Sequence, residues 1–567
     1  MSKTVIVGGV AGGASAAARI RRLDEKAEIV IFERGAHVAF SNCSLPYYLG
    51  DAVKKKESLI MMTPDDFKKR HNIDVHVMRE VVDILREEKC VLVKDLQTGT
   101  EYKESYDKLI LAPGANAVRP RNIKGVQNPN VFTVRNVTDA CRLKNYITQN
   151  GSKHIVIVGG GFVGIEIAEN FHEIGLDVSL IEGANQIMSP FDYDMAQILH
   201  KEMLDRGIHL YLSSKVTEIA DTHVKAIKND QEFEVTADVV VLSIGVAQET
   251  ELAKNCGLRI GKSGGIQVNP NYQTNDPNIY AVGDAVETFG LISRQFGSFA
   301  QAGPAQRQAR VAADHICGQQ HTNHGYIATS CLRVFDQNAA CTGLNEKSAK
   351  HAGLSYEVAY ILPADKVSIM PDSHYMAFKL LFEVPTGRIL GAQAIGKGNV
   401  TRRIDVIASL LTLGGTLEDL KEIELCYSPV YGTAKDVVNM AALVGLNLLH
   451  ERVRQVHVED VRDLVENGAY IIDVREEKEY AAGHLKGSIN IPLSQFRERI
   501  QEVPRNIPVY LHCRTSQRSY YALCELLGSG YQNVRNISGS FLGICLYEYF
   551  NDQTENRTPI VTAYNFK

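Results

Sequence analysis

A chain of 567 residues, 45% hydrophobic and 22% charged, is a globular protein of three or four domains at roughly 150 residues each, and neither disordered nor fibrous. Its formal net charge of -5, without any long run of Lys and Arg, disfavours nucleic acid and anionic membrane surfaces as partners. No apolar stretch reaches the roughly 18 residues of a spanning helix, and Met1 leads into TVIVGG without a signal-peptide pattern, so a cytoplasmic protein is expected.

The first predicted element is the strand TVIV, which enters the glycine turn of GGVAGG, continues as the helix ASAAARIRRL and returns as the strand AEIVIFE ending at Glu33. This is the pattern of a dinucleotide-binding βαβ unit. The strand KLIL then runs into Gly114. The unit recurs as HIVIVGGGFVGIEIAENFHEIG followed by DVSLIEG, ending at Glu182, now with the full glycine fingerprint at Gly159, Gly161 and Gly164. Two separate nucleotides are therefore expected. DVVVLSIGV enters Gly245, and NIYAVGDAVE closes the set. From about 321 the strand-like CLRVFDQNAACTGL and YMAFKLLFEVPTGRILGAQAIG precede helices that run to LLHERV, an α+β arrangement. A fresh βα alternation begins near 455 with VHVEDVRDLVENGAYIIDVRE and continues through VYLHCRTSQRSYYALCELLGSGY.

In such a glycine turn the N–H groups at the helix start cradle a pyrophosphate, while the acid ending the next strand takes the ribose hydroxyls. Glu33 has that place in the first copy and Glu182 in the second. The first copy departs from the fingerprint at Val10, which stands at the middle glycine between Gly8 and Gly13, so an altered approach of backbone to phosphate is expected. A carboxylate at Glu182 accepts from a 2′-hydroxyl and repels a 2′-phosphate, which favours NADH, with NADPH as the alternative.

Eleven cysteines are scattered without CxxC pairs or zinc-like His/Cys spacing, so no metal site is expected. Cys90, Cys141, Cys256, Cys317, Cys331, Cys341, Cys524 and Cys545 read as ordinary thiols that pack as small apolar groups. Cys43 and Cys513 differ because of their neighbours.

The order of these motifs resembles the FAD-containing, two-dinucleotide disulfide reductase superfamily over residues 1 to about 450. In that family YAVGDA, here Tyr280 to Ala285, places an aspartate on the flavin ribityl chain, which by match is Asp284. Dithiol members use CxxxxC, whereas HVAFSNCSLPYYLG holds Cys43 alone, and the HPE acid-base pair is absent. A single thiol forms a mixed disulfide, persulfide or sulfenate only with a group brought from outside, so the substrate must supply the second sulfur. FSNCSLPYY resembles the single-cysteine branch, which includes coenzyme A-disulfide reductases, CoA-persulfide or polysulfide reductases, NADH oxidases and NADH peroxidases. Peroxide-using relatives carry a histidine where this chain has Ala11, and GGVAGGASAAARIRRL is instead similar to the CoA-disulfide reductases.

That resemblance implies further roles. Gly8, Gly12, Gly13, Glu33, Arg34, Asn42, Gly114, Asp284, Gly159, Gly161, Phe162, Gly164, Glu182 and Gly245 would bind cofactor, with Phe162 covering the nicotinamide site. Arg19, Arg22, Lys68 and Arg70 lie where basic residues hold the nucleotide end of CoA, although each also reads as a solvated helix face; Ser41 stands beside the redox cysteine. A homodimer is implied, in which two tyrosines reach the partner subunit's cysteine as proton donors. LCYSPVYGTAKD offers Tyr427 and Tyr431 for the second, but VSIMP puts Ile369 and Met370 where the first is usual, which implies a less polar pocket or a substrate other than CoA disulfide.

From about 455 the chain resembles a single rhodanese domain with the loop CRTSQRS. Cys513, at a short turn between a buried strand and a helix, would sit in converging N–H dipoles that favour a persulfide anion. Arg514 and Arg518 would add positive charge, and Asp473 with Arg475 would brace the loop.

The expected fold is α/β: a FAD-binding domain over 1–115 and 245–320, an NAD(P)H-binding domain over 116–244, an α+β dimerisation domain over 321–450 and an α/β rhodanese domain over 455–567. The expected activity is NAD(P)H- and FAD-dependent reduction of a CoA-linked or inorganic sulfane sulfur substrate, or of CoA disulfide, through Cys43, with coenzyme A as substrate or tightly bound ligand and Cys513 carrying sulfur. A plain CoA-disulfide reductase and a non-catalytic persulfide sensor or carrier are the alternatives.

Overall fold

Strands rich in Val and Ile and bare of charge are stable only where both faces are covered, and the two glycine-rich units fold accordingly. In a computed structural model that describes residues 2–320 and 323–566, Lys3–Val7 lies at the centre of a five-stranded parallel sheet. The order is Ile279–Ala281, Lys108–Leu111, Lys3–Val7, Glu28–Glu33 and Asp74–Val77, with Val5 opposite both Val30 and Leu109. The helix Ala11–Leu23 buries Gly12, Gly13, Ala16, Ala17 and Ile20, and these small side chains let it pack closely against the helix Ala302–Ile316. Its Arg21 is buried and satisfied by the carbonyls of Asp24, Glu25, Ala27, His71 and Asn72.

The second glycine-rich unit repeats this arrangement. His154–Val158 pairs in parallel with Asp177–Ile181 on one side and Val239–Leu242 on the other, and Val131–Phe132 pairs beyond Val239–Leu242. Both units and their three-stranded antiparallel flaps belong to one compact body, Met1–Asn185 with Tyr211–Tyr326.

Gln186–Leu210 and Ile327–Lys567 form the other body. Its antiparallel sheet runs Ser330–Val334, Gln337–Gly343, Ile389–Gly396, Met376–Glu383 and Tyr356–Ile361, backed by the helices Val400–Leu413 and Val437–Leu449. A parallel sheet follows in the order Gln455–Val456, Val534–Ile537, Val509–His512, Tyr470–Asp473 and Ile489–Asn490. The two sheets are tied by Gln455 Nε2 to the Val358 carbonyl (2.7 Å) and Ser538 Oγ to the Tyr360 carbonyl (3.3 Å).

One segment groups differently from the sequence reading. The helix Tyr193–Asp205, inside the stretch read as 116–244, packs in this second body against the helix Ser540–Thr554. The reason is electrostatic: Lys379 Nζ, almost fully buried, reaches Asp194 (2.8 Å), Asp192 (3.2 Å) and Glu346 (2.6 Å), so the helix start is fastened to the antiparallel sheet.

Candidate functional site

The two glycine turns have the same construction. A Cβ added to Gly13 would stand 1.8 Å from the Gly8 carbonyl oxygen, and one on Gly164 would stand 2.0 Å from that of Gly159, so each helix approaches its strand as only glycine permits. Gly161 is different, since an added Cβ there meets nothing within 4 Å. This explains how Val10 stands at the same place in the first copy without displacing backbone; it is the N-cap of the helix Ala11–Leu23. The acids also match. Glu33 accepts from the N–H groups of Gly9 (2.8 Å) and Gly35 (2.7 Å), and Glu182 from those of Gly160 (2.7 Å) and Ala184 (2.7 Å). Each carboxylate is thereby aimed at the helix start with lone pairs left over for ribose hydroxyls, and the open space at Gly161 and Gly245 suits an extended dinucleotide. Residues and space thus fit two dinucleotides.

Cys43 lies in the short turn Asn42–Ser44, exposed, ahead of the helix Leu45–Leu49 whose Leu45, Pro46 and Leu49 are buried anchors. The Asn42 side-chain oxygen accepts from the Cys43 N–H (3.1 Å) and from its thiol (3.7 Å), and the Ser41 and Ser44 hydroxyls share a 2.7 Å bond. Tyr48 further fixes the helix: its carbonyl takes the Lys144 ammonium (2.6 Å) and its phenol meets the Cys141 thiol (3.7 Å).

Two groups that motif reasoning did not single out, Arg135 and Glu166, complete this surface. Arg135 Nη2 lies 3.5 Å from Asp284 Oδ2, while its Nε donates to the Ala115 carbonyl (2.7 Å) beside Gly114. The helix Phe162–Glu173 packs on Leu45–Leu49 and brings Glu166 toward Cys43. Glu169, on the same helix, is buried. Protein packed around the sulfur, then the charges of Glu166 and Asp284, hold the Cys43 thiol above its ordinary range, with Arg135 acting in the opposite sense. Burial, followed by the Glu169 charge, pushes the Glu166 carboxyl up to about 7, and burial raises Asp284 against the pull of Arg135. Glu166 was legible only as the residue one helical turn beyond Phe162, on the same face.

The basic residues expected around CoA are variously engaged. Arg19 pairs with the buried Asp314 (2.6 Å), Lys68 with Asp74 (2.8 Å) and Arg70 with Asp66 (3.4 Å), while Arg22 is exposed. Arg34 grips both oxygens of Glu249 (2.6 Å each). Tyr427 and Tyr431 belong to the second body and are 52% and 68% exposed, on a segment held by Arg402 through the carbonyls of Cys426 (2.7 Å) and Tyr431 (3.3 Å). Ile369 is 83% exposed.

Cys513 ends the strand Val509–His512 and is 1% exposed. Its N–H donates to Ser540 Oγ (3.1 Å), and the hydroxyls of Ser519 and Ser540 donate to its sulfur at 3.6 and 4.0 Å. Ser519 lies in the first turn of the helix Gln517–Gly528 and Ser540 begins the helix Ser540–Thr554, so both hydroxyls come from helix starts. Beneath it Asp473 and Arg475 form a buried pair (2.5 Å), with the Arg475 guanidinium 4.0 Å from the Phe541 ring centre. Burial would raise Asp473, yet His512 and Arg475 outweigh it and hold its carboxyl below the usual range.

Residues 2–309 match the family model of the pyridine nucleotide-disulphide oxidoreductases, 329–436 that family's dimerisation domain and 457–546 the rhodanese-like domain. A coenzyme A disulfide reductase from Staphylococcus haemolyticus is 32% identical over 441 residues, which cover 78% of this chain and 98% of the relative. The crystal structure of reduced Bacillus anthracis CoADR-RHD is 40% identical at a TM-score of 0.93, covering 97% of this chain and 98% of that one. An NAD-dependent persulfide reductase from A. fulgidus is 32% identical at a TM-score of 0.89, covering 95% and 99%. Taken with two glycine cradles and a lone cysteine facing an Asp–Arg pair, these matches make the chain a member of the pyridine nucleotide-disulphide oxidoreductase family, a flavin-dependent disulfide oxidoreductase with a C-terminal rhodanese-like domain.

Proposed function

We propose that the protein reduces a CoA persulfide or polysulfide at Cys43, using NADH and FAD, and that Cys513 carries sulfane sulfur. The observation that carries this reading is the pairing of one exposed thiol at Cys43, free of any disulfide, with a second free cysteine set in the hydroxyl and helix cradle of the rhodanese-like domain. FAD, when bound, relays two electrons from NADH to sulfur. Glu33, Asp284 and the turn at Gly8, Gly12 and Gly13 would hold it; Glu182 and Gly159, Gly161 and Gly164 would hold the nicotinamide cofactor, with Phe162 beside them.

The Cys43 thiolate attacks the sulfane sulfur of the persulfide, CoA leaves as its thiolate, and a Cys43 persulfide remains. Two electrons and a proton derived from NADH then cleave that S–S bond, releasing hydrosulfide and restoring Cys43. Glu166, about half protonated near neutrality, is placed to exchange the proton that the thiol gives up. Arg19, Arg22, Lys68, Arg70 and Ser41 are proposed to bind CoA; the pairs Arg19–Asp314 and Lys68–Asp74 would have to share their cations with its phosphates. Tyr427 and Tyr431 are proposed to act from a partner subunit of a homodimer. The exposed Ile369, Val430 and both tyrosines support such an interface, as does the matched dimerisation domain. Eleven free thiols suit a reducing, cytoplasmic setting.

Reduction of CoA disulfide is the second reading, favoured by relatives of that name that align over nearly their whole length. Steady-state rates with CoA persulfide, CoA disulfide and inorganic polysulfide on one preparation decide between them. The highest kcat/KM with the disulfide would reject the persulfide reading.

Glu182 leads to the next expectation. NADH should exceed NADPH in kcat/KM by about tenfold or more, because a 2′-phosphate would face the carboxylate. Preference for NADPH would remove Glu182 from the ribose. For Cys513→Ser, reduction of soluble CoA persulfide should stay within about twofold of wild type, since a small substrate needs no carrier, while turnover that starts with sulfur loaded on the rhodanese loop should be lost. Equal loss with both would make the two cysteines one obligatory relay.

A further inference from the structure

A sulfur-transfer site must supply enough positive potential for the charge its donor brings. Around Cys513 three guanidiniums are near, and two of them are already matched. Arg475 is held by the buried Asp473. Arg518 is gripped by both oxygens of Glu479 at 2.6 and 2.7 Å, and those bonds hold the Glu479 carboxyl below its ordinary range. Arg514 donates instead to the Asn565 carbonyl (2.8 Å) and lies 6.0 Å from the centre of the Tyr375 ring. The groups that do address the sulfur are neutral: the Ser519 and Ser540 hydroxyls, each at the start of a helix. Ser540 is itself oriented by Ser516 Oγ at 3.1 Å. With about half a charge from each helix N-terminus, this cradle suits the single negative charge of a bound persulfide. Two of its three guanidiniums are held by carboxylates, which leaves less positive charge for a dianion that must come within bonding distance of a thiolate.

We propose that the Cys513 site takes its sulfur from thiol persulfides in preference to thiosulfate, with Ser519 and Ser540 donating hydrogen bonds to the sulfur and Glu479 setting the preference by neutralising Arg518. The inference rests on the reading of Cys513 as a sulfur carrier. In the favoured reaction the Cys513 thiolate attacks the terminal sulfur of RSSH, the S–S bond of the donor breaks, and a Cys513 S–S bond forms. The leaving thiolate takes up the displaced proton, and no net oxidation occurs. With thiosulfate the leaving group would be sulfite, whose two charges Arg518 would have to meet while bound to Glu479.

The test uses full-length Cys43→Ser protein, so that sulfur placed on Cys513 is not reduced, and follows the mass gain of one sulfur atom on the Cys513 peptide. Glutathione persulfide should load it about tenfold or more faster than thiosulfate at equal concentration. Glu479→Gln, which releases Arg518, should speed loading from thiosulfate about tenfold. Ser519→Ala should shorten the life of the loaded persulfide by about tenfold. Equal loading by the two donors before any further substitution overturns the inference, and this comparison needs no folded Glu479 variant. An unchanged donor ratio in folded Glu479→Gln protein also overturns it. Absence of sulfur on Cys513 from either donor rejects the carrier reading itself, an outcome distinct from equal loading.

Discussion

Cys43→Ser should lower NADH-dependent reduction of every thiol-derived substrate by about three orders of magnitude or more, because a serine hydroxyl at neutral pH neither attacks sulfane sulfur nor forms the mixed disulfide. The yellow flavin should remain bound. Cys43 lies in the turn Asn42–Ser44, and the elements proposed to hold FAD, the Gly8–Gly13 turn, Glu33 and Asp284, do not depend on its sulfur. The measurement is steady-state NADH oxidation with CoA persulfide and with CoA disulfide, beside the visible absorption spectrum. Full turnover by the variant would remove Cys43 from the chemistry.

The largest expected effect on stability lies at Lys379. Replacing it with Met should destabilise the second body by about 3–5 kcal/mol, since the substitution leaves Asp192, Asp194 and Glu346 facing one another around a buried site with no counter-charge. The sign with pH follows from Glu346, since burial raises the Asp192 carboxyl despite Lys379. Burial by itself would raise Glu346, but the Lys379 charge and hydrogen bond, with that of Tyr356, outweigh it and keep the carboxyl below its ordinary value. Lys379 is correspondingly raised well above its own, the three carboxylates overcoming burial. The depressed carboxyl contributes stability that is present above its unfolded pKa and is lost as pH falls through the folded value. In Lys379→Met the carboxylates are unpaired and gain from protonation. The gap between wild type and variant should therefore be widest near neutrality and shrink as pH falls toward about 4.5. Thermal unfolding of the whole chain across that range checks both parts, and a constant gap would mean that the cluster carries no net ionic stabilisation.

Much of the fold was legible because its requirements are local. A glycine needed for close approach, as at Gly13 and Gly164, leaves its mark in the residue itself, and an acid ending a strand beside such a turn can point to few places. The same holds for apolar runs such as TVIV and HIVIV, which the sheets bury on both faces. For these reasons the two glycine-rich units, the antiparallel sheet and the final parallel sheet could be read in order from composition and periodicity. Cys43 and Cys513 stood out from nine other cysteines by their neighbours in sequence alone.

Partner choice over long separations was not legible. Lys379 and Asp194 are 185 positions apart, and Arg518 and Glu479 are 39 apart, so nothing in their spacing distinguishes them from charges that meet only water. Arg518 reads in sequence as free positive charge for a sulfur anion, whereas folding gives it a carboxylate of its own. Glu166 similarly reads as one polar position on an amphipathic helix until packing brings it toward Cys43 and burial raises its carboxyl to about 7. Backbone-dictated features, namely the glycine turns, the succession of strands and helices along the chain and the distinctive neighbours of the two cysteines, were determined by the sequence alone. Only the tertiary structure decided which charges are matched and which carboxyl is raised toward neutrality, because those depend on distance and desolvation, and neither exists until the chain is packed.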